Sequence, residues 1–498
     1  INPDDMHQDK TVGFSLLLYF IMNLLGMVNA IGKTFQAKLM IVLVVARITL
    51  QSSRLQALKW SKRDYILDVV NLSSEEKSKL NDKSIYQGLD YAYDNKEIIE
   101  DRLFKSYYKD NPPKKLFYDV TSSYVTGEYN ESELVAYGYN RDGKKGTKQI
   151  VIGLLCDEQG HAIAVDTYAG NTHDVTTFSN QLDRAKKRFN LDHITIVGDG
   201  GMIKSEDIAT IKALGYDYIT SIGKPSIKKL INDENSQMDI SLFDEQLQEF
   251  VENDTRYILR QNPIRANEIR NTREQKIERL QEFITMKVEY YNTHYRAKQE
   301  TLEKHINTKI SALKLNSFLS YNISYQEGDI TIKDKEGNKT IKTKALATIE
   351  IIIDEKAKRE IEQLDGCYVV TTSLIDTSKE SKEEIHQAYK RLIKVENAFK
   401  MLKTEFLEIR PLYLRTDSRI KGHVFISMLA YNIVRKLRAY ISLSNYDFKD
   451  TIERLKAIAT VKVKLTNKVT STYIPTVDEK IQKLFDSIGF SLPKKVNY

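Results

Sequence analysis

Cysteine is almost missing from this 498-residue chain. Cys156 and Cys367 alone cannot build a disulfide framework, and no paired-Cys or Cys/His cluster offers a zinc site. A reducing, cytoplasmic setting is therefore expected. The eight histidines are scattered, which argues against histidine-rich metal chemistry, and tryptophan occurs once, as Trp60. Long hydrophobic runs are lacking as well. The stretch 14–28 (FSLLLYFIMNLLGMV) is interrupted by Asn23 and Gly26 and falls short of the roughly 18–20 residues a membrane span needs. A second apolar run, 39–46, follows Lys33 and Lys38 too soon for a membrane hairpin. Asp4 and Asp5 replace the cationic start of a signal peptide. Two buried helices packed on each other, with no membrane association, are the expectation. The sequence opens on Ile1 rather than Met, so further residues are expected upstream.

What is present is a globular composition, 41% hydrophobic and 29% charged, over a length that calls for more than one hydrophobic core. Net charge is +7, unevenly spread. Residues 377–498 hold 24 Lys+Arg against 13 Asp+Glu, a local +11, which leaves −4 for the rest. A basic quarter of this kind suits contact with a polyanion, and equally suits a lysine-rich solvated surface.

Along the chain, 10–110 reads as helical, with Ser73 three residues before Glu76 as a capping-box signal. Asn111-Pro112-Pro113 breaks the pattern. Strand signals follow at 116–125, 148–157, 161–170, 193–199 and 216–222, with helices at 175–189 and 203–215. Residues 148–170 predict a hairpin around Glu158-Gln159-Gly160. A mixed α/β sheet flanked by helices is the resulting expectation. From Lys224 the texture changes to a long charged helical stretch at 263–314, then short strands over 317–353 with a turn at Glu336-Gly337-Asn338. Strand signals resume at 367–373, followed by a long helix over 381–404 and an amphipathic helix over 419–441. The expected division is a helical N-terminal domain (1–112), a first part of an α/β core (113–223), a large α+β insertion (224–365), a second core part (366–441) and a basic C-terminal region (442–498).

Three acidic residues stand out. Asp119 lies inside an apolar strand, where a carboxylate is costly. Asp199 ends a buried strand and precedes Gly200-Gly201-Met202, at the strand end where α/β sheets place ligands. Glu396 lies on a later helix, with Phe399 and Lys403 on nearly the same face. Each alone is ordinary: an edge residue, a turn, a solvated helix face. Together they form the hard-oxygen donor set that two magnesium ions want for in-line displacement at phosphorus.

These residues resemble insertion-sequence DDE transposases with an RNase H-like catalytic core, over roughly 115–225 and 365–441. Tyr118, Asp119 and Thr121 match the family's Tyr-Asp-x-Thr strand, and Asp199, Gly201 and Met202 match its Asp-x-Gly-Met. Tyr389, Glu396 and Lys403 fall at the spacings of its helical signature Tyr, two residues, Arg, three residues, Glu, six residues, Lys. Leu392 stands where the family has Arg, with Arg391 one place earlier, about 100° round a helix. Residues 170–178, with Asn171 and Asp174, and 422–433 are similar to two further family segments.

The resemblance implies an RNase H-like mixed sheet with a large insertion and a dimeric enzyme. It implies binding of terminal inverted repeats in double-stranded DNA, cleavage of the 3′ strand, and joining of the freed 3′-OH to target DNA. Two Mg2+ ions, with Mn2+ able to substitute, would sit on Asp119, Asp199 and Glu396. Tyr389, Arg391 and Lys403 are candidates for phosphate contact, and Lys421, Arg435, Lys436 and Arg438 for a DNA-backbone surface. Relatives that form DNA hairpins stack an insertion aromatic on a flipped base; with no Trp in the insertion, Tyr290, Tyr291 and Tyr295 are the candidates here. Two other readings use the same residues: an RNase H-like endonuclease without strand transfer, and a DNA-binding relative whose core is catalytically dead.

Overall fold

A computed structural model describes residues 6–493, apart from 142, 145, 334–338, 406, 408, 410, 411, 467 and 468. The chain divides into two compact units, Ile1–Thr220 with Glu384–Tyr498, and Ser221–Glu383.

The first unit opens with β1 (Met6–Thr11) and eight helices, α1 (Gly13–Leu24), α2 (Met27–Ile31), α3 (Phe35–Leu50), α4 (Arg54–Ser61), α5 (Ile66–Val69), α6 (Ser74–Ser78), α7 (Gln87–Asp94) and α8 (Lys96–Tyr107). The apolar runs become α1 and α3. Leu39 through Ile48 are buried without a break, the mark of a helix enclosed on all sides. No single described helix is long and apolar enough to cross a membrane; the pair α3 and α4 passes by length and composition but bends by 97°. The capping box at Ser73 is present, its side chain accepting from the Glu76 N–H while Glu76 accepts from the Ser73 N–H. Helix α7 lies against α3 through Gly88, where a Cβ would press on the backbone of Leu39 and Met40.

The core sheet of this unit follows: β2 (Lys115–Tyr124), β3 (Gln149–Cys156), β4 (Ala162–Ala169), α9 (Asp174–Lys187), β5 (Thr195–Val197), α10 (Ser205–Ala213) and β6 (Asp217–Ile222). The spatial order is β4-β3-β2-β5-β6. β2, β3 and β4 are antiparallel, and β2, β5 and β6 are parallel. This is the RNase H-like mixed sheet. β3 (QIVIGLLC) is buried at every residue, which explains its unbroken apolar run. Phe178, Leu182 and Ala185 of α9 and Ile211 of α10 pack on Leu116, Tyr118 and Val120 of β2 in one core.

The second unit contains α11 (Lys224–Ile231), β7 (Gln248–Glu252), β8 (Thr255–Gln261), α12 (Pro263–Thr293), α13 (Gln299–Leu313), β9 (Leu319–Lys333), β10 (Lys339–Ile353), α14 (Glu355–Glu362) and β11 (Cys367–Thr372). β7 and β8 were not anticipated; they join through Asn253-Asp254, both at positive φ, the two-residue turn that matches strand twist. The helical stretch 263–314 is two helices, and α12 buries one stripe, Arg273, Ile277, Leu280, Ile284 and Tyr291. Instead of short strands, 319–353 forms one hairpin of two 15-residue strands paired out to Leu319 and Ile353. The turn expected at 336–338 lies outside the described residues.

The first unit resumes with α15 (Lys382–Lys390), α16 (Ile393–Lys400), a π-helical turn (Met401–Glu405), α17 (Asp417–Leu443), α18 (Phe448–Ala457), β12 (Ala459–Thr466), β13 (Val469–Tyr473) and α19 (Glu479–Ile488). β1, β12 and β13 form a small antiparallel sheet, so the N-terminal segment is not wholly helical. α17, expected to be amphipathic, is buried at every position from Gly422 to Val434, because α3 and α7 cover it on one side and β4 on another. Gly422 is required there: a Cβ would meet the Leu89 carbonyl of α7.

Candidate active site

Neighbouring strands lead to the first two carboxylates. Lys115, Leu116 and Phe117 of β2 pair in parallel with Thr195, Ile196 and Val197 of β5. That pairing ends at Phe117 and Val197, two residues before Asp119 on β2 and Asp199 in the turn that follows β5. Asp119 is half-buried, and its Oδ1 accepts from the Val120 N–H at 2.8 Å. Asp199 is exposed and fixed by the turn after it: its Oδ1 accepts from the N–H groups of Gly201 (3.0 Å) and Met202 (2.9 Å). A Cβ on Gly201 would lie 3.3 Å from that oxygen, a tight contact.

Glu396 comes from α16, which packs on β2. The single helix expected over 381–404 is interrupted on both sides of it. Leu392 donates to the Tyr389 carbonyl, Lys394 to Arg391 and Val395 to Leu392, a run of tight i-to-i+3 bonds between α15 and α16. After Lys400 the chain widens into the π-helical turn, an irregularity frequent at functional sites. That turn carries Lys403, whose Nζ donates to Thr121 Oγ1 at 2.5 Å. Thr121 lies two residues beyond Asp119 and so on the same face of β2. Tyr118 faces the other way, over Gly153, where its hydroxyl fills the space a Cβ would need.

The charges of these groups meet. Burial, and then the charges of Asp199 and Glu396, push the Asp119 carboxyl up to about 7; the Val120 N–H and the Arg141 charge oppose this. Arg141 was not anticipated. It lies in the loop between β2 and β3, and its backbone N–H donates to Ser122 Oγ on β2 at 2.9 Å.

A family model described as the transposase DDE domain matches residues 110–433, well over half of the chain. The chain belongs to the DDE transposases. No curated protein matches it. Among solved structures it is similar to the Mos1 transposase paired-end complex with left transposon end, at 13% identity and a TM-score of 0.16, over 34% of this chain and 58% of that one. So slight a likeness says nothing of this transposase's fold, which rests on its own strand order. Membership implies DNA phosphoryl transfer, and the family generally uses divalent metal ions.

The donor set of this transposase suits a hard divalent cation: three carboxylates, no imidazole or thiolate, and mutual repulsion that a cation would relieve. As they stand, no three His, Cys, Asp or Glu side chains among the described residues are gathered closely enough to enclose an ion. Charge, not coordination distance, is what joins the trio.

The remaining sequence candidates divide. Arg391 is exposed at the break between α15 and α16, its guanidinium 3.9 Å from the Glu158 carboxylate. Because the helix is broken there, its offset from the family's Arg position is not the simple rotation of a continuous helix. Tyr389, half-buried, precedes the break on α15. Arg435 donates to the Gln159 carbonyl at 3.2 Å, and Arg438 lies 4.7 Å from the Phe448 ring. Lys436 lies over Tyr440 and Lys421 near Tyr93. Asn171 is exposed, and the side chain of Asp174 is outside the described residues. Tyr291 is buried in the second unit's core and donates to the Ala345 carbonyl, so it is not free to stack; Tyr290 and Tyr295 are exposed.

The family-like segment 422–433 holds the β3–β4 turn. Asn432 brackets Ala162, accepting from its N–H at 2.9 Å and donating to its carbonyl at 2.8 Å, and the Tyr431 hydroxyl donates to the Gly160 carbonyl at 2.7 Å. A cavity of about 710 Å3 lies beyond the end of β2, lined by residues 126–132 with Tyr413 and Arg415, and none of the three carboxylates lines it.

Proposed function

We propose that this transposase binds the ends of a DNA element and catalyses metal-dependent strand cleavage followed by strand transfer. The observation that supports this reading is that the neighbouring strands β2 and β5 lead to Asp119 and Asp199, and that the charges of Asp199 and Glu396 both raise the Asp119 carboxyl. Asp119, Asp199 and Glu396 would hold two Mg2+ ions, with Mn2+ able to substitute. Bound there, the ions neutralise charge on the attacking and leaving oxygens of an in-line displacement at phosphorus. Lys403, held at Thr121, would set a positive charge on the Asp119 face of β2 for the scissile phosphate, and exposed Arg391 is a further candidate for phosphate contact. Cleavage transfers a phosphoryl group to water and leaves a 3′-OH. Joining transfers a target phosphoryl group to that 3′-OH and releases the target's own 3′-OH. A homodimer serves the reading, since two element ends must be joined at one target.

The test is incubation of the purified protein with supercoiled plasmid carrying the DNA that flanks its gene, in Mg2+, Mn2+ or EDTA. Asp119→Ala, Asp199→Ala and Glu396→Ala variants run alongside. Metal-dependent nicking at the element ends, lost by at least 100-fold in each variant, is the expected result (an order-of-magnitude figure for removing a group that stabilises transition-state charge). Joined products distinguish transposition from hydrolysis alone. DNA that is bound but never cut by the wild type, in either metal, would establish the catalytically dead alternative.

A further inference from the structure

The loop between β2 and β3 has no part in the reading above beyond Arg141, yet its residues 133–141 are anchored at several points. Asp417, at the start of α17, accepts from the N–H groups of Glu133 and Leu134 at 3.1 Å each. Ala136 exchanges backbone hydrogen bonds with Gln149, at 3.2 and 2.9 Å. The buried Gln149 side chain donates to the carbonyls of Tyr139 (3.1 Å) and Gly170 (2.8 Å). Gly138 is required by this anchoring, since a Cβ there would strike the Gly170 carbonyl.

A backbone held this firmly has no need of outward aromatic side chains for its own stability. Tyr137 is nonetheless 64% exposed and Tyr139 83% exposed. Cations accompany them. The segment 137–148 (YGYNRDGKKGTK) carries four Lys or Arg against one Asp. Lys148 lies 6.0 Å from the Tyr137 ring, and Lys144 lies 4.0 Å from the Tyr124 ring at the end of the catalytic strand. The segment passes Ser122 on its way to β3, three residues from Asp119.

We infer that Tyr137 and Tyr139 form a stacking platform for unpaired bases of the DNA strand that enters the carboxylate site, with Lys144 and Lys148 on its phosphates. Exposed rings on a fixed backbone, interleaved with cations, are what a single strand needs: every base has a π-face, and stacking tolerates any sequence. A duplex offers the rings no base face. The inference rests on the proposed reaction, which passes a strand through this site.

The test measures binding of the full-length protein, in EDTA, to a labelled 20-nucleotide oligo-dT strand and to a 20-base-pair duplex by fluorescence anisotropy. Tyr137→Ala/Tyr139→Ala is expected to weaken single-strand binding by about tenfold or more and duplex binding by less than about twofold. Tyr137→Phe/Tyr139→Phe is expected to bind as wild type does, and Lys144→Ala/Lys148→Ala to flatten the salt dependence of single-strand binding. Melting temperatures verify folding of each variant. Unchanged single-strand affinity in the alanine variant, with DNA binding otherwise intact, overturns the platform and leaves the transposase reading standing. Equal losses in the Phe and Ala variants overturn stacking in favour of a hydroxyl contact. A wild type that does not bind the single strand overturns the platform, whereas the transposase reading falls only if the plasmid carrying the element ends is neither bound nor cut.

Discussion

Asp64 shows how a single buried residue sets a pH response. It lies 3% exposed between Thr11, whose hydroxyl donates to its Oδ2, and Ile66, whose N–H donates to its Oδ1 at 2.9 Å. Burial pushes its carboxyl up to about 6, more than those hydrogen bonds and Lys10 pull it down. The folded chain therefore keeps a proton that the unfolded chain has lost. Between about pH 4 and pH 6 the unfolded state binds fewer protons, so this group's contribution to stability falls as pH rises and is flat above. Asp64→Asn keeps the Ile66 hydrogen bond and removes the titration. The variant is expected to gain on wild type from pH 4 to pH 7, by up to about 3 kcal/mol. A melting-temperature difference that does not change over that range would refute the assignment. Asp119, raised by burial first and by its acidic neighbours after it, was legible as a costly carboxylate in an apolar strand. Arg141 was not legible as its companion, nor Lys403 as the partner of Thr121, because the loop path and the Lys403 contact join residues far apart in sequence.

Elements pack here through glycines that periodicity does not single out. α7 is pinned between two neighbours: Gly88 admits the α3 backbone, and Gly422 admits the Leu89 carbonyl to α17. Because relief on one side is blocked by contact on the other, Gly422→Ala is expected to cost about 1–3 kcal/mol, measured by urea denaturation. A loss below about 0.5 kcal/mol, the usual scale of a surface change, would show that α7 can shift. Most element types were readable from the sequence: the β3–β4 hairpin, the buried strands β2 and β6, and the helices α9 and α10 fall where alternation, turn residues and caps set them. What could not be read was the interruption of 381–404. It holds no Pro or Gly to mark a break, and the tight turn at 391–395 and the π-helical turn after Lys400 flank the helix that packs on β2. The same limit explains α17, whose polar residues predicted a wet face. His423, Ser427 and Asn432 are instead buried, each satisfied by a hydrogen bond to a backbone group.

At the scale of the molecule, the two units carry separate hydrophobic clusters. One joins α9, α10 and the core strands, and another joins α12, α13, β9 and β10. Leu280→Ala in the second unit is expected to remove about 2–5 kcal/mol of local stability. Hydrogen exchange should then quicken within 221–383, with the amides of β2 and β3 unchanged; quickening spread evenly over the chain would show one cooperative unit instead. Some cations of the C-terminal quarter are engaged within the fold. Arg454 and Lys480 pair with Asp450, Lys483 with Glu479, and Arg419 with Asp90, while Arg435 holds a carbonyl of the β3–β4 turn. The sequence by itself determined the strands β2 to β6, the candidate carboxylates and the family, because alternation, turn chemistry and short motifs are local and survive in one dimension. Only the tertiary structure decided which carboxylate stands beside which, where the Glu396 helix breaks, and which cations the fold has already engaged. Those depend on register and on contacts between distant residues, and a local pattern does not encode them.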